Sequence, residues 1–228
     1  MERESSKLNR LSVLQQLKIQ LQDVRPEGIP NKREIHSIWE RKIDLDLNRT
    51  YLVRGASGRG KSTFLHILLG IRRNYSGQVL LGEENIRRFC SDKWALIRQN
   101  TLAMVFQDLR LLGELTAREN LSIKTRLAES PQSKQIEELA ERLGIKEQLE
   151  QPCHLLSFGQ QQRLAILRAL LQPFRTLLLD EPFSHLDPGN SRICLDLILE
   201  ICEERNAGLF LATLDDDYGL NPDQELRV

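Results

Sequence analysis

Leucines at positions 8, 11, 14 and 17 recur at helical spacing and predict a helical arm over residues 1–16. The period then changes to two. LKIQLQDV from Leu17 and KIDLDL from Lys42 alternate apolar with polar residues, as half-buried strands do. Between them Arg25, Pro26, Gly28 and Pro30 punctuate a loop. TYLVR (Thr50–Arg54) and QVLL (Gln78–Leu81) read as short strands, and KSTFLHILLG reads as a helix that stops at Gly70. Residues 84–155 turn polar, charged and mostly helical; within them SKQIEELAERLG is an amphipathic helix with Ser133 as N-cap and Gly144 as its stop. Helix (SFGQQQRLAILRALL), strand (TLLLD), helix (SRICLDLILEICEERN) and strand (LFLATL) follow. Continuous apolar strands alternating with helices predict an α/β fold with a mostly parallel central sheet covered on both faces.

Composition narrows this picture only a little. The 228 residues suffice for one large core with an inserted subdomain. Basic and acidic residues balance at 32 each, so no global field points to nucleic acid or to an anionic membrane. The charged start MERESSKLNR is not a secretory signal, and no apolar run approaches the roughly 20 residues needed to span a bilayer. Cys90, Cys153, Cys194 and Cys202 lack metal-ligand spacing and read as buried reduced thiols of a cytosolic protein.

The chemistry begins at GASGRGKS. Gly55, Ala56, Ser57, Gly58, Arg59, Gly60, Lys61 and Ser62 fit G-x-x-x-x-G-K-[ST], between a predicted strand and a predicted helix. Glycines let backbone amides approach a phosphate chain, and the helix start adds partial positive charge. Lys61 then reaches the β- and γ-phosphates, the Ser62 hydroxyl is a Mg²⁺ ligand, and Thr63 closes the candidate nucleotide set. TLLLDEP delivers Asp180 and Glu181 to the end of an apolar strand, where open α/β sheets bind ligands. Asp180 suits a Mg²⁺ contact and Glu181 a general base acting on water. A strand ending in an acidic turn is the plainer alternative, and the phosphate loop weighs against it.

LSFGQQQRLAILRAL, from Leu156, resembles the LSGGQ signature of ABC-type ATPases, with Phe158 in place of the first glycine. Gln107 in AMVFQDLRLL looks like that family's Q-loop glutamine, and SHLD (Ser184–Asp187) like its D-loop. VFQDLRLLGELTAREN and QQQRLAILRAL look most like the lipoprotein-releasing, FtsE and macrolide-exporter group. The resemblance implies a P-loop ATPase fold over residues 17–228. Residues 17–83 and 156–228 would form the ATP-binding core with an antiparallel β subdomain, and 84–155 the helical subdomain. It implies ATP and Mg²⁺ as ligands, with Gln107 contacting both the metal and the attacking water. It implies a head-to-tail dimer, homomeric or heteromeric. There Ser157, Gly159 and Gln160 serve the nucleotide of the opposite subunit, and Asp187 crosses the interface. It also implies integral membrane permease subunits as partners and a cytoplasmic place, peripheral on the inner membrane. Leu109, Leu111, Leu112 and Leu115 fit either plain core or a permease-docking face.

Three departures qualify the resemblance. The family's adenine-stacking aromatic would fall near Glu27–Pro30, where there is none; Trp39 reads as a core or interface residue, and a stacking contact worth about 1–3 kcal/mol is in question. The strand tip that carries Thr-His-Asp in the family reads Thr213-Leu214-Asp215, so the γ-phosphate switch histidine is replaced by Leu214. Asp216 and Asp217 read as a solvated helix start, and the family's C-terminal strands and helix as shortened or absent. Two functions follow: a slow ATPase driving a permease, or an ATP-binding clamp or scaffold with negligible turnover.

Overall fold

The computed structural model describes residues 18–29, 37–127, 133–214 and 216–228, without the side chains of 125–127 and 133. The expected arm over 1–16 and Asp215 lie outside the described residues. Strands β1 (Lys18–Pro26), β2 (Lys42–Asp46) and β3 (Thr50–Arg54) lead into α1 (Lys61–Leu68). Next come β4 (Tyr75–Leu81), β5 (Glu84–Asn85), α2 (Ser91–Asn100), β6 (Leu102–Val105), α3 (Ala117–Leu127) and α4 (Ser133–Arg142). The chain continues through α5 (Phe158–Leu170), β7 (Thr176–Asp180), α6 (Pro188–Glu204), β8 (Gly208–Thr213) and β9 (Gln224–Arg227).

Two sheets result. The period-two segments β1 and β2 join β4 and β5 in an antiparallel sheet of order β2-β1-β4-β5. The continuous apolar segments form a parallel sheet of order β6-β7-β8-β3-β9. That parallel sheet is a wall between two cores. Leu52, Leu177, Leu179, Leu209 and Leu211 face the core built on α5 and α6. Tyr51, Val53, Leu178, Phe210 and Ala212 face the core built on α1 and the antiparallel sheet. Burial on both faces is why these strands show no alternation. Each leucine so buried contributes about 1.5–3 kcal/mol, which makes the strand ends a rigid platform for their loops.

Gly208 shows how tightly the layers meet. A Cβ there would lie 2.1 Å from the Leu47 carbonyl oxygen. That oxygen also accepts a bond from the buried Thr176 hydroxyl at 2.8 Å. The turn after β2 is thus fastened to the start of the central strands.

Several expectations need correction. Residues 84–155 are not uniformly helical: β5 extends the antiparallel sheet and β6 is an edge of the parallel one. An apolar run of four residues such as LAMV is too short to be told from buried helix by pattern. Asp216 and Asp217 open no helix; they make side-chain turns, accepting from the amides of Tyr218 at 2.8 Å and Gly219 at 2.9 Å. The segment after β8 returns as β9, which pairs with β3.

Cysteine burial also divides. Cys153, Cys194 and Cys202 are buried and Cys90 is exposed, so the expectation fails at Cys90. Burial pushes the Cys194 and Cys202 thiols up to about 12 and raises that of Cys153. Thiolate is the reactive form. Iodoacetamide at pH 8 is therefore expected to label Cys90 in native protein and the other three only after denaturation, as peptide mass mapping would read.

Candidate functional site

Strand β3 delivers the glycine-rich turn and α1 receives it. Gly60 caps α1 at φ 113°. A Cβ there would lie 2.5 Å from Ile29 Cδ1 and 3.3 Å from the Trp39 ring, so backbone and space both require glycine. The Arg59 amide donates to Ala56 O at 3.2 Å and tightens the turn. The first helical bond runs from Phe64 N to Gly60 O. The amides of Lys61, Ser62 and Thr63 thus have no acceptor within the helix, an arrangement suited to an anion. Trp39 stands behind the turn, edge-on to Phe64 at 6.2 Å between ring centroids, in a packing role.

Side chains from three elements converge beside the turn. Lys61 is 5% exposed; it donates to Gly55 O at 2.7 Å and lies 3.3 Å from Glu181 Oε1. Gln107, just beyond β6, donates through Nε2 to Glu181 Oε2 at 3.3 Å. The Ser62 hydroxyl stands beside the Asp180 carboxylate and favours its charged form. All stand at the C-terminal ends of the parallel strands, where this architecture places ligands. Ser62, Asp180 and Gln107 also line a pocket of about 320 Å³ with His66, Asp108 and Arg110. Burial, then the Arg110 charge, lowers the His66 pKa, which favours a neutral ring.

Two features of the acidic pair matter. Asp180 is 1% exposed, and its Oδ1 has no hydrogen-bond partner among the described residues. Burial raises its pKa, with the neighbouring Ser62 hydroxyl pulling the other way. A divalent cation would satisfy the orphaned oxygen and favour the charged form. The hard oxygen donors of Ser62, Asp180 and Gln107 therefore fit Mg²⁺ beside a phosphate chain. Glu181 adopts φ 48°, a left-handed conformation costing a non-glycine residue about 1–2 kcal/mol. Its amide donates to Ala212 O at 3.0 Å, which fixes the turn against β8.

The second group of sequence candidates lies apart. Ser157 caps α5 and forms a capping box with Gln160: Gln160 N donates to Ser157 Oγ at 3.3 Å, and Ser157 N to Gln160 Oε1 at 2.8 Å. Gly159 packs beside Leu186, close enough that a Cβ would lie 3.4 Å from Leu186 Cδ2. Asp187 caps α6, accepting from Asn190 N at 2.9 Å, and this bond leads in holding its carboxyl below the ordinary range. Among the described contacts none joins Ser157, Gly159, Gln160 or Asp187 to Lys61, Ser62 or Asp180. Thr63 departs differently: its hydroxyl accepts from Arg72 Nη1 at 3.2 Å.

Sequence reading passed over the link between the two groups. Gln162 is 1% exposed and reaches Glu181 O at 3.4 Å and Ser184 Oγ at 3.5 Å, while its Oε1 accepts from His185 N. Phe158 is exposed and its ring lies 4.3 Å from that of His185. Three consecutive glutamines gave no sign of which one turns inward; helical phase against Leu164 and Ala165 was the available signal. Leu214, at the β8 tip, is 45% exposed.

Comparison with known proteins agrees with this geometry. A family model described as ABC transporter matches residues 40–184. The chain is 39% identical to the thiamine import ATP-binding protein ThiQ of Haemophilus ducreyi, over 71% of this chain and 74% of that protein. It is 32% identical to the lipoprotein-releasing system ATP-binding protein LolD of Hydrogenovibrio crunogenus, over 82% of each. Its fold superposes on the dimeric post-hydrolysis structure of the ATP-binding cassette MJ0796 bound to ADP and Pi, with TM-score 0.73, 26% identity and coverage of 88% and 89%.

Proposed function

Because this chain belongs to the ABC transporter family of ATP-binding ATPase subunits, we propose that it drives a membrane permease through a closing and reopening dimer, hydrolysing Mg²⁺-ATP slowly. The observation that carries the reading is the convergence of Lys61, Ser62, Gln107, Asp180 and Glu181 at one end of the parallel sheet. The residues from Gly55 to Thr63 hold the phosphates through backbone amides, with Lys61 moving from its Gly55 and Glu181 partners to the phosphate charge. Ser62, Asp180 and Gln107 would hold Mg²⁺, which would supply charge neutralisation. Glu181 takes the proton of the attacking water, oriented by Gln107.

Ser157, Gly159, Gln160 and Asp187 act from a second subunit, which accounts for their separation from the phosphate loop within one chain. Residues 17–83 and 156–228, together with β6, form the nucleotide core. The rest of 84–155 forms the subdomain that meets the permease, where Leu112 and Ile123 are exposed. None of the helices among the described residues is long and apolar enough to cross a membrane. Membrane association at the cytoplasmic face therefore rests on the partner.

Equilibrium binding of ATP tests the first step. Wild type is expected to bind Mg²⁺-ATP and to shift to a dimer in light scattering. Lys61→Ala is expected to weaken binding by at least about tenfold, because one charge-assisted contact is worth about 1.5–3 kcal/mol. Equal affinities would sink the assignment of the phosphate loop. The exposed Leu214 favours a second reading, a clamp that binds ATP and dimerises without turnover. Dimerisation with no phosphate release would select it.

A further inference from the structure

The chain leaves β6 through Gln107 into a turn with an uncommon backbone. Leu109 at φ 55° and Arg110 at φ 51° are both left-handed. No other consecutive pair of non-glycine residues among the described residues shares that conformation. A side chain disfavours it, and it persists only where the surroundings over-determine it.

Three sets of contacts do so here. Within the turn, the Leu109 amide donates to Phe106 O at 3.0 Å and the Arg110 amide to Asp108 O at 2.6 Å. The Arg110 guanidinium lies over the Phe106 ring, and its Nε donates to Asp108 Oδ1 at 3.2 Å. From the core, Leu109 is buried in the cluster built on α5 and α6. From the last turn of α5, Arg168 donates through Nη1 to Arg110 O at 2.7 Å and through Nη2 to Leu109 O at 2.6 Å.

The third contact differs in kind. Each left-handed residue is held by its carbonyl, one to each prong of a planar fork. Among the described residues no carboxylate pairs with Arg168, so its donors are directed at this turn. Burial lowers its pKa, yet an arginine stays charged in a folded protein. Gln107 lies between Phe106 and Asp108, the residues that those bonds tie down, and its Nε2 donates to Glu181 Oε2 at 3.3 Å. The turn thus sets the direction of the glutamine.

We propose that Arg168 is a positioning residue for hydrolysis, holding the Leu109–Arg110 turn so that Gln107 stays directed at Glu181. The role deepens the reading of this chain as a Mg²⁺-ATP hydrolase and rests on it.

Single-turnover cleavage of ATP by the full chain, with equilibrium ATP binding measured beside it, tests the inference. Arg168→Gln removes both prongs and is expected to lower the cleavage rate about tenfold, the lower end for a group that orients a metal-site residue. Arg168→Lys keeps the charge but not the fork, and is expected to lower the rate about three- to fivefold. In both, the half-saturating ATP concentration is expected to stay within about twofold, because Lys61 and the loop amides are untouched. In a Gln107→Ala background neither substitution is expected to lower the rate further, since Arg168 acts through Gln107. A general loss of packing would instead multiply with the Gln107→Ala loss.

Rates within about twofold of wild type for both Arg168 variants would overturn the inference. So would losses that multiply in the Gln107→Ala background, or losses matched by equal losses of ATP affinity. If Arg168→Gln does not fold, Arg168→Lys decides by the same limits. A wild-type rate no higher than that of Glu181→Gln would overturn the hydrolase reading and this inference with it. Wild-type cleavage that the Arg168 variants leave intact overturns the inference alone.

Discussion

Glu181→Gln is expected to lower ATP hydrolysis by at least about 10²-fold, the lower end of what a positioned general base contributes. The substitution is nearly isosteric, so the left-handed turn, the Ala212 bond and the packing of Phe183 are retained. What it removes is the charge that faces Lys61 at 3.3 Å and accepts from Gln107 at 3.3 Å. An amide cannot take a proton from water near neutral pH. ATP binding is expected to hold or tighten, because a carboxylate beside the phosphate chain disappears and Lys61 loses a competing partner. Steady-state phosphate release and equilibrium ATP binding, measured on the same preparation, separate the two effects. Unchanged hydrolysis would remove Glu181 from its assigned role, and lost binding would mean that the site had been distorted.

Leu214→His should move the rate the other way, upward by about tenfold to 10²-fold. One preorganised donor at a developing charge contributes about 10²–10³ in rate, and a donor added to an existing scaffold is expected to recover part of that. Leu214 is 45% exposed, so the exchange should alter stability by no more than about 0.5 kcal/mol. Any change in turnover then reports chemistry rather than folding. If wild type already turns over briskly and Leu214→His leaves that rate unchanged, position 214 does not limit this ATPase. No turnover in either protein would favour the clamp.

The amino-acid pattern alone placed β3, β7 and β8 of the parallel sheet, the phosphate loop and the acids at a strand end. It could do so because those features are local: burial on both faces removes alternation, and a phosphate-binding turn needs its glycines and lysine at fixed spacing. The capping box at Ser157 was legible for the same reason, since a helix start is satisfied by residues three apart. Short elements were less legible. LAMV and QELR become strands only through their neighbours in the sheet, and EN, which pairs with the adjoining end of β4, is too short to carry a pattern.

Tertiary structure alone decided three further things. It set Gln162, rather than Gln160 or Gln161, between the signature helix and the Glu181 turn. It turned Asp216 and Asp217 from a supposed helix start into the anchors of a loop. It brought the Tyr218 ring back against Phe183. Gln162 and Tyr218 depend on contacts between segments distant in the chain, where free energy comes from packing and not from local propensity; the Asp216 and Asp217 turns are local, and Asp217 alone also reaches a distant partner, Arg54. Lys61, Asp180 and Glu181 could be named from their motifs. The buried orphan oxygen of Asp180 and the left-handed backbone of Glu181 arise only where β3, β7 and β8 lie side by side.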